Sequence, residues 1–270
     1  IAMEFVPGES VAKRVDRAVN EGRINFLLYG YGETHEPPAT ERAIIGSHSV
    51  LSYDTRTRVL DVVSFTHDIR APEIEQIVYK DGKGRRAIRM DQAYNVGGMA
   101  LNRQMIENAT GLSVDFQIVF KDMAMARAVD NAFGGVEIDN PFQFDVHPFY
   151  LDGKKYPAGT FLAGKQKLNG TQTLQFIKTV PVTQGYYGRD LEHNYRKHLI
   201  FTALLESLAR QGGDAGFWLK GSGFVAGELV KGAITYDFDP VPFAINNAQS
   251  IVPELGRYAS NRRAGMGLPK

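Results

Sequence analysis

The run Ile24-Asn25-Phe26-Leu27-Leu28-Tyr29-Gly30 constrains the fold more than any other stretch of this 270-residue chain. It is apolar but for one amide and closes on a glycine, without the alternation of a strand that has one wet face. Such a run reads as a strand buried on both sides, which requires a sheet with helices packed against each face. The flanking sequence supplies both. Val50–Tyr53 and Val59–Phe65 are β-rich and bracket Asp54-Thr55-Arg56-Thr57, the pattern of a hairpin turn. From Val96 to Thr110 the spacing of Met99, Leu101, Met105 and Ile106 predicts a helix closed by Gly111. Val114–Phe120 reads as a strand, and Lys121–Phe133 as a helix with Met125, Val129 and Phe133 four apart. Val136–Asp139 alternates as a strand, whereas 140–163 is aromatic and proline-bearing without periodicity. Leu168–Ile177 reads as a helix opened by Asn169-Gly170, and Asp190–Arg210 as the longest helix. The expected class is therefore α/β: a central mixed β-sheet flanked by helices on both sides.

Bulk chemistry narrows the partners. Lys plus Arg number 31 against 30 Asp plus Glu, a formal net charge of +1, so no general field recruits nucleic acid. Any anion must be met by a local cluster. The chain has no Cys, which excludes disulfide and thiolate chemistry and suits an oxidising exterior. No apolar run approaches the ~18 residues of a membrane span. GxGxxG, Walker A and Gly-x-Ser-x-Gly patterns are missing, leaving nucleotide-binding and hydrolase readings without support.

Three segments are expected. Residues 1–22 form a leader with a short helix, downstream of a membrane anchor that precedes this chain. Residues 23–211 form the main domain. Residues 212–270 form a Gly-rich and helical C-terminal extension, with six glycines between 212 and 227 clustered around the single Trp.

Several stretches in order across about 23–210 resemble the LytR–CpsA–Psr domain. Ile24–Gly30 is similar to its opening strand. Val62-Val63-Ser64-Phe65-Thr66-His67-Asp68 stands where the family reads Ser-Ile-Pro-Arg-Asp. Arg89–Gly98 is similar to Lys-Ile-Asn-x-Ala-Tyr-x-x-Gly-Gly. Asn108–Asp115, Phe133–Ile138 and Ala163–Gly170 continue the match, and Gly188-Arg189 opens the long helix.

The resemblance implies an α/β/α domain at the bacterial cell envelope, outside the cytoplasm and held to the membrane by the missing anchor. It implies transfer of a cell-wall glycopolymer from a polyprenyl phosphate or pyrophosphate lipid to peptidoglycan. Asp residues would hold a divalent metal and Arg residues the pyrophosphate, because guanidinium forks grip phosphate oxygens bidentately. Carried across residue by residue, Asp68 and Arg189 are the catalytic candidates, and Arg89, Lys178, Arg189 and His193 the phosphate-binding ones. The sequence departs from the family at this site. The turn Asp appears as Gly32, the Arg-Ser-Asp triplet as Gly46-Ser47-His48, and the Arg-x-Arg as Lys178-Thr179-Val180. Asp68, His48 and His67 are the candidate metal set, for Mg by resemblance or a Zn-like ion if the imidazoles converge. Three readings stay open: a transferase, a non-catalytic lipid-binding or scaffold module of wall assembly, and a His-ligated metal enzyme.

Overall fold

The structure is a computed structural model that describes residues 21–32, 44–57, 59–65, 69, 89–151, 153–179, 189–211, 215–231 and 233–237. At its centre is a five-stranded sheet in the order β11-β4-β1-β2-β3. β1 (Arg23–Gly32), β2 (Ile44–Asp54) and β3 (Leu60–Phe65) run antiparallel as a meander. Asp54 caps the β2–β3 turn by accepting from the backbone N–H groups of Arg56 and Thr57, both at 2.9 Å. Helix α1 (Met90–Thr110) then crosses over and returns the chain as β4 (Phe116–Lys121), parallel to β1. β4 runs without a break into α2 (Asp122–Asn131).

β1 is buried on both faces, as its composition requires. Leu27 and Tyr29 pack with Val50, Met90, Ala93, Met105 and Ile106 beneath α1. On the other face Ile24 packs with Tyr53, Phe116 and Leu205 of the long helix α4 (Arg189–Gln211). Layers of helix, sheet and helix follow. A second core joins α2, α3 (Gly170–Lys178) and α4 to a set of small strands: β5 (Val136–Asn140), β6 (Phe144–Val146), β7 (Phe149–Leu151), β8 (Lys154–Tyr156), β9 (Gly159–Phe161) and β10 (Gly164–Leu168). β5 pairs with β10, β6 with β9 and β7 with β8. The segment 140–163 is thus not irregular. Four of these strands have three residues each, too short to show a period in the sequence.

Two helices differ from the sequence reading. α1 begins at Met90 rather than Val96, because two helical stretches are joined across a kink at Gly97-Gly98, where Gly98 sits at φ 61°. That left-handed backbone explains the glycine. α5 (Ala215–Val230) is a continuous helix through Gly221, Gly223 and Gly227, and it leads to β11 (Ile234–Tyr236). β11 pairs antiparallel with β4, so part of the expected C-terminal extension completes the central sheet. The expected leader, up to residue 20, and the part of the expected C-terminal extension from residue 238 onward lie outside the described residues. Among the described residues no helix is long and apolar enough to cross a membrane.

Candidate functional site

In open α/β sheets, ligands gather beyond the carboxyl ends of the parallel strands. Here that place is the shared edge of β1 and β4. β1 ends as Gly30-Tyr31-Gly32 with a register shift after Gly30. A side chain at Gly32 has no room, since a Cβ there would lie 2.2 Å from Asp122 Oδ2 and 2.6 Å from its Cγ. The Asp122 carboxylate fills the space at the strand end where the family resemblance expects an aspartate. The carboxylate is supplied instead from the first residue of α2, directly after β4.

Asp122 opens α2, where the helix dipole favours a negative group. Its Oδ2 accepts from Lys178 Nζ, and the two side chains are 3% and 9% exposed. Lys178 sits in the last turn of α3, the end at which a helix favours a cation. Each partner therefore satisfies its own helix as well as the other. α3 is placed by Asn169, whose side chain caps the Gln172 N–H at 2.8 Å while Gln172 Oε1 accepts from the Asn169 N–H at 3.0 Å.

The next residue, Thr179, ties this pair to α4. Its carbonyl accepts from Arg196 Nη2 at 2.7 Å. Arg196 is 2% exposed, and its guanidinium lies 5.0 Å from the Phe144 ring centroid and 6.0 Å from that of Phe176. Burial draws its pKa down from 12.5 to about 10, with the Glu192 carboxylate acting in the opposite direction. Arg196 Nε and Nη1 find no hydrogen-bond partner among the described residues, and neither do the two buried carboxylate oxygens of Glu192. Asp122, Glu192 and Arg196 escaped the sequence reading. Arg196 carried a signal: it precedes the buried Leu199 and Ile200 at helical spacing, and a cation on a core face is rarely idle.

Of the expected site residues, Lys178 is in this cluster. Arg189 is the first residue of α4, and its side chain lies outside the described residues, as do His67 and Asp68 entirely. His193 is half-buried on α4 beside Glu192. Arg89 stands before α1, its backbone N–H donating to Gln92 Oε1 at 3.2 Å. His48 lies elsewhere, on the α1 face of the sheet and 1% exposed. Its Nε2 is 3.0 Å from Asn102 Oδ1, and its ring stacks on Tyr29 at 5.6 Å. The Tyr29 hydroxyl is raised far above its ordinary range, first by burial and then by the neighbouring Tyr94. Among the described residues no three His, Asp or Glu side chains converge on a common point. The described donor set does not by itself fit a divalent cation, because the Asp122 oxygen is engaged by Lys178 and the His48 nitrogen faces an amide.

A shallow cleft of about 360 Å³ lies apart from this edge, lined by Glu137, Asp139, Lys165, Lys167, Glu206 and Arg210. Its charges alternate in sign, so they offset one another.

Residues 6–212 match the model of the LytR_cpsA_psr family. The polyisoprenyl-teichoic acid–peptidoglycan teichoic acid transferase TagV of Bacillus subtilis is 25% identical over 161 residues, which cover 59% of this chain and 38% of TagV. The chain thus spans well under half the length of that relative. The crystal structure of B. subtilis TagV superposes with a TM-score of 0.59 at 16% identity, covering 92% of this chain and 98% of that one. The Streptococcus agalactiae protein gbs0355 gives 0.67 at 17% identity, covering 88% and 76%. TagT bound to LIIa-WTA gives 0.58 at 15% identity, covering 94% and 83%. Likeness at these identities carries the fold.

Proposed function

Because the chain belongs to the LytR_cpsA_psr family, we propose that it works at the cell envelope and moves a glycopolymer from a polyprenyl pyrophosphate carrier to peptidoglycan. The observation that carries this reading is the buried Asp122–Lys178 pair at the carboxyl edge of β1 and β4, with Arg196 donating to the carbonyl of Thr179, the residue after Lys178. A cation at the carboxyl edge of a parallel pair suits an anion, and positive charge held in a dry site stabilises negative charge developing on a phosphate leaving group. In this reading Lys178 meets the phosphate, with Arg89, Arg189 and His193 as further phosphate contacts. Asp68 and Arg189 are the catalytic candidates, and the lipid tail lies among the apolar side chains between sheet and helices. The domain reaches its substrate through an upstream membrane anchor.

A divalent cation would have to be held by Asp68 together with groups outside the described residues, His67 among them. It would supply Lewis-acid neutralisation of the leaving phosphate. No step here depends on it.

One observation favours a second reading, a non-catalytic lipid-binding or scaffold module. Lys178 is already neutralised by Asp122 inside the fold. A self-paired cation offers less to an incoming pyrophosphate than a free arginine fork.

Native mass spectrometry of the chain purified from a bacterial host, with lipid extraction and metal analysis of the same sample, separates the readings. A co-purified polyprenyl phosphate and turnover that Lys178→Ala abolishes are the expected result for the transferase. Bound lipid without turnover makes it a carrier. Neither lipid nor turnover overturns both.

A further inference from the structure

We infer that the cleft between the β5–β10 pair and the last turns of α4 binds a zwitterionic peptide, which, resting on the transferase reading above, is the peptide borne by the peptidoglycan acceptor. The cleft has a volume of about 360 Å³, within the roughly 300–1,000 Å³ of small-ligand sites. Its charges are sorted by element. β10 contributes Lys165 and Lys167, β5 contributes Glu137 and Asp139, and α4 adds Glu206 and Arg210. Residues two apart on a strand share a face, so each strand presents a row of one sign. In the register of the pair Lys165 stands opposite Asp139, and Lys167 opposite Glu137. Opposite charges so placed ordinarily close on each other, yet among the described residues neither pair does. Lys165, Lys167 and Glu137 are exposed and Asp139 is half-buried. Arg210 is 62% exposed, 4.0 Å from Glu206.

Three carboxylates against three cations leave the cleft without net charge. A polyanion would gain from the lysine row and lose to the carboxylate row beside it, and a polycation would meet the reverse. A ligand with one carboxylate and one ammonium sets each group on the row of opposite sign, across strands roughly 5 Å apart. A short peptide with a free carboxyl and a free amine has that pattern, and the peptides of peptidoglycan offer it. The reach also fits. Arg196 marks the catalytic edge, through its bond to the Thr179 carbonyl. From there to Glu206 the helix α4 rises ~15 Å, and about five extended peptide residues span ~17 Å. A peptide held in the cleft therefore keeps its glycan strand beside the phosphate end of the cluster. It raises the local concentration of acceptor hydroxyls and takes no part in the chemistry.

The test is calorimetry of the whole chain with a soluble muropeptide, a wall disaccharide carrying its peptide. The same ligand is also used amidated at its peptide carboxyls, acetylated at its amine, or stripped of the peptide. The native muropeptide should bind roughly tenfold or more tightly than the stripped disaccharide, the scale of one charge-assisted hydrogen bond. Lys165→Gln combined with Lys167→Gln should weaken the native ligand by a similar factor and the amidated one not at all. Glu137→Gln combined with Asp139→Asn should weaken the native ligand likewise and leave the acetylated one unchanged. With a synthetic farnesyl pyrophosphate-linked disaccharide as donor, either double variant should raise KM for an uncrosslinked peptidoglycan strand and leave kcat and the donor KM unchanged. Equal affinity for muropeptide and stripped disaccharide overturns the inference, and transfer by the same chain then leaves the transferase reading intact. Losses that are the same for native and neutralised ligands also overturn it, since the side chains would be acting through the fold. A chain that binds with this charge dependence but transfers nothing upholds the peptide site and overturns the transferase reading alone.

Discussion

The Asp122–Lys178 pair makes a sharp quantitative prediction, because both side chains are almost fully withdrawn from water, at 3% and 9% exposure. Replacing one partner leaves the other as a buried charge with no counter-ion, which costs roughly 3–5 kcal/mol. Asp122→Asn and Lys178→Met should each fall in that range. The double variant should lose only about 1 kcal/mol, since a neutral pair of similar volume is tolerated where a lone charge is not, so the coupling energy should be about 5 kcal/mol or more. For a domain of this size the single variants should lower Tm by roughly 2–4 °C for each kcal/mol. Urea denaturation followed by far-UV circular dichroism measures all four proteins, and unchanged m-values would show that the denatured states are comparable. Repeating the cycle at high salt should barely alter the coupling, because buried pairs are poorly screened. Single losses below about 1 kcal/mol that simply add in the double variant would refute the reasoning, placing the pair in water rather than inside the fold.

Three further outcomes follow from the same geometry. Gly32→Ala should cost about 1–3 kcal/mol by overpacking, since its Cβ would sit 2.2 Å from Asp122 Oδ2, and the same substitution made in an Asp122→Ala background should cost markedly less, read as the difference between the two urea midpoints. Tyr29→Phe should cost less than ~1 kcal/mol or be neutral, because the buried Tyr29 hydroxyl makes at most a poorly formed contact with the Asn102 side chain. Tyr29 holds its proton in the fold while the unfolded chain releases it near 10.0, so its contribution is lost as pH rises above that value. Tyr29→Phe should flatten that alkaline loss in a pH series of urea midpoints. Glu228 is held below its ordinary 4.5, first by the hydrogen bonds from Arg127, so its stabilisation is present above that value and fades as pH falls through the folded one. Glu228→Gln should abolish that part of the acid sensitivity, read by hydrogen exchange in α5.

What the sequence made legible follows from how local each signal is. β1 was readable because both its faces are buried, so the apolar run itself is the signature. The β2–β3 turn, the Gly111 cap of α1 and the Asn169 cap of α3 were readable because each is closed within a few residues. α5 was not. Gly221, Gly223 and Gly227 each lower helix propensity by about 1 kcal/mol, and the helix forms through contacts the sequence does not display: Phe133 against Phe217, and Arg127 bonded to Glu228. At the site, Lys178 was identified from its place in a motif. Its partner Asp122 was hidden, because the space it fills belongs to Gly32 on a different strand. Arg196 and Glu192 were hidden among ordinary helical charges, and only burial separates them from a solvated face.

The antiparallel seam between β11 and β4 bears on how this chain can be assembled and cut. β4 is formed by residue 121, yet its outer edge waits for Ile234–Tyr236, and Asp237 Oδ1 accepts from the Gln117 backbone N–H across 120 residues of sequence. A ribosome or secretion channel that has released the chain only to Gln211 has delivered a sheet with one raw border, a template for a neighbouring molecule's strand. Expression trimmed to the family-matched segment should therefore yield aggregates, whereas the same segment carried through Asp237 should run as a discrete species. Three residues near the end of the described chain act as the selvedge of a sheet woven almost entirely before them.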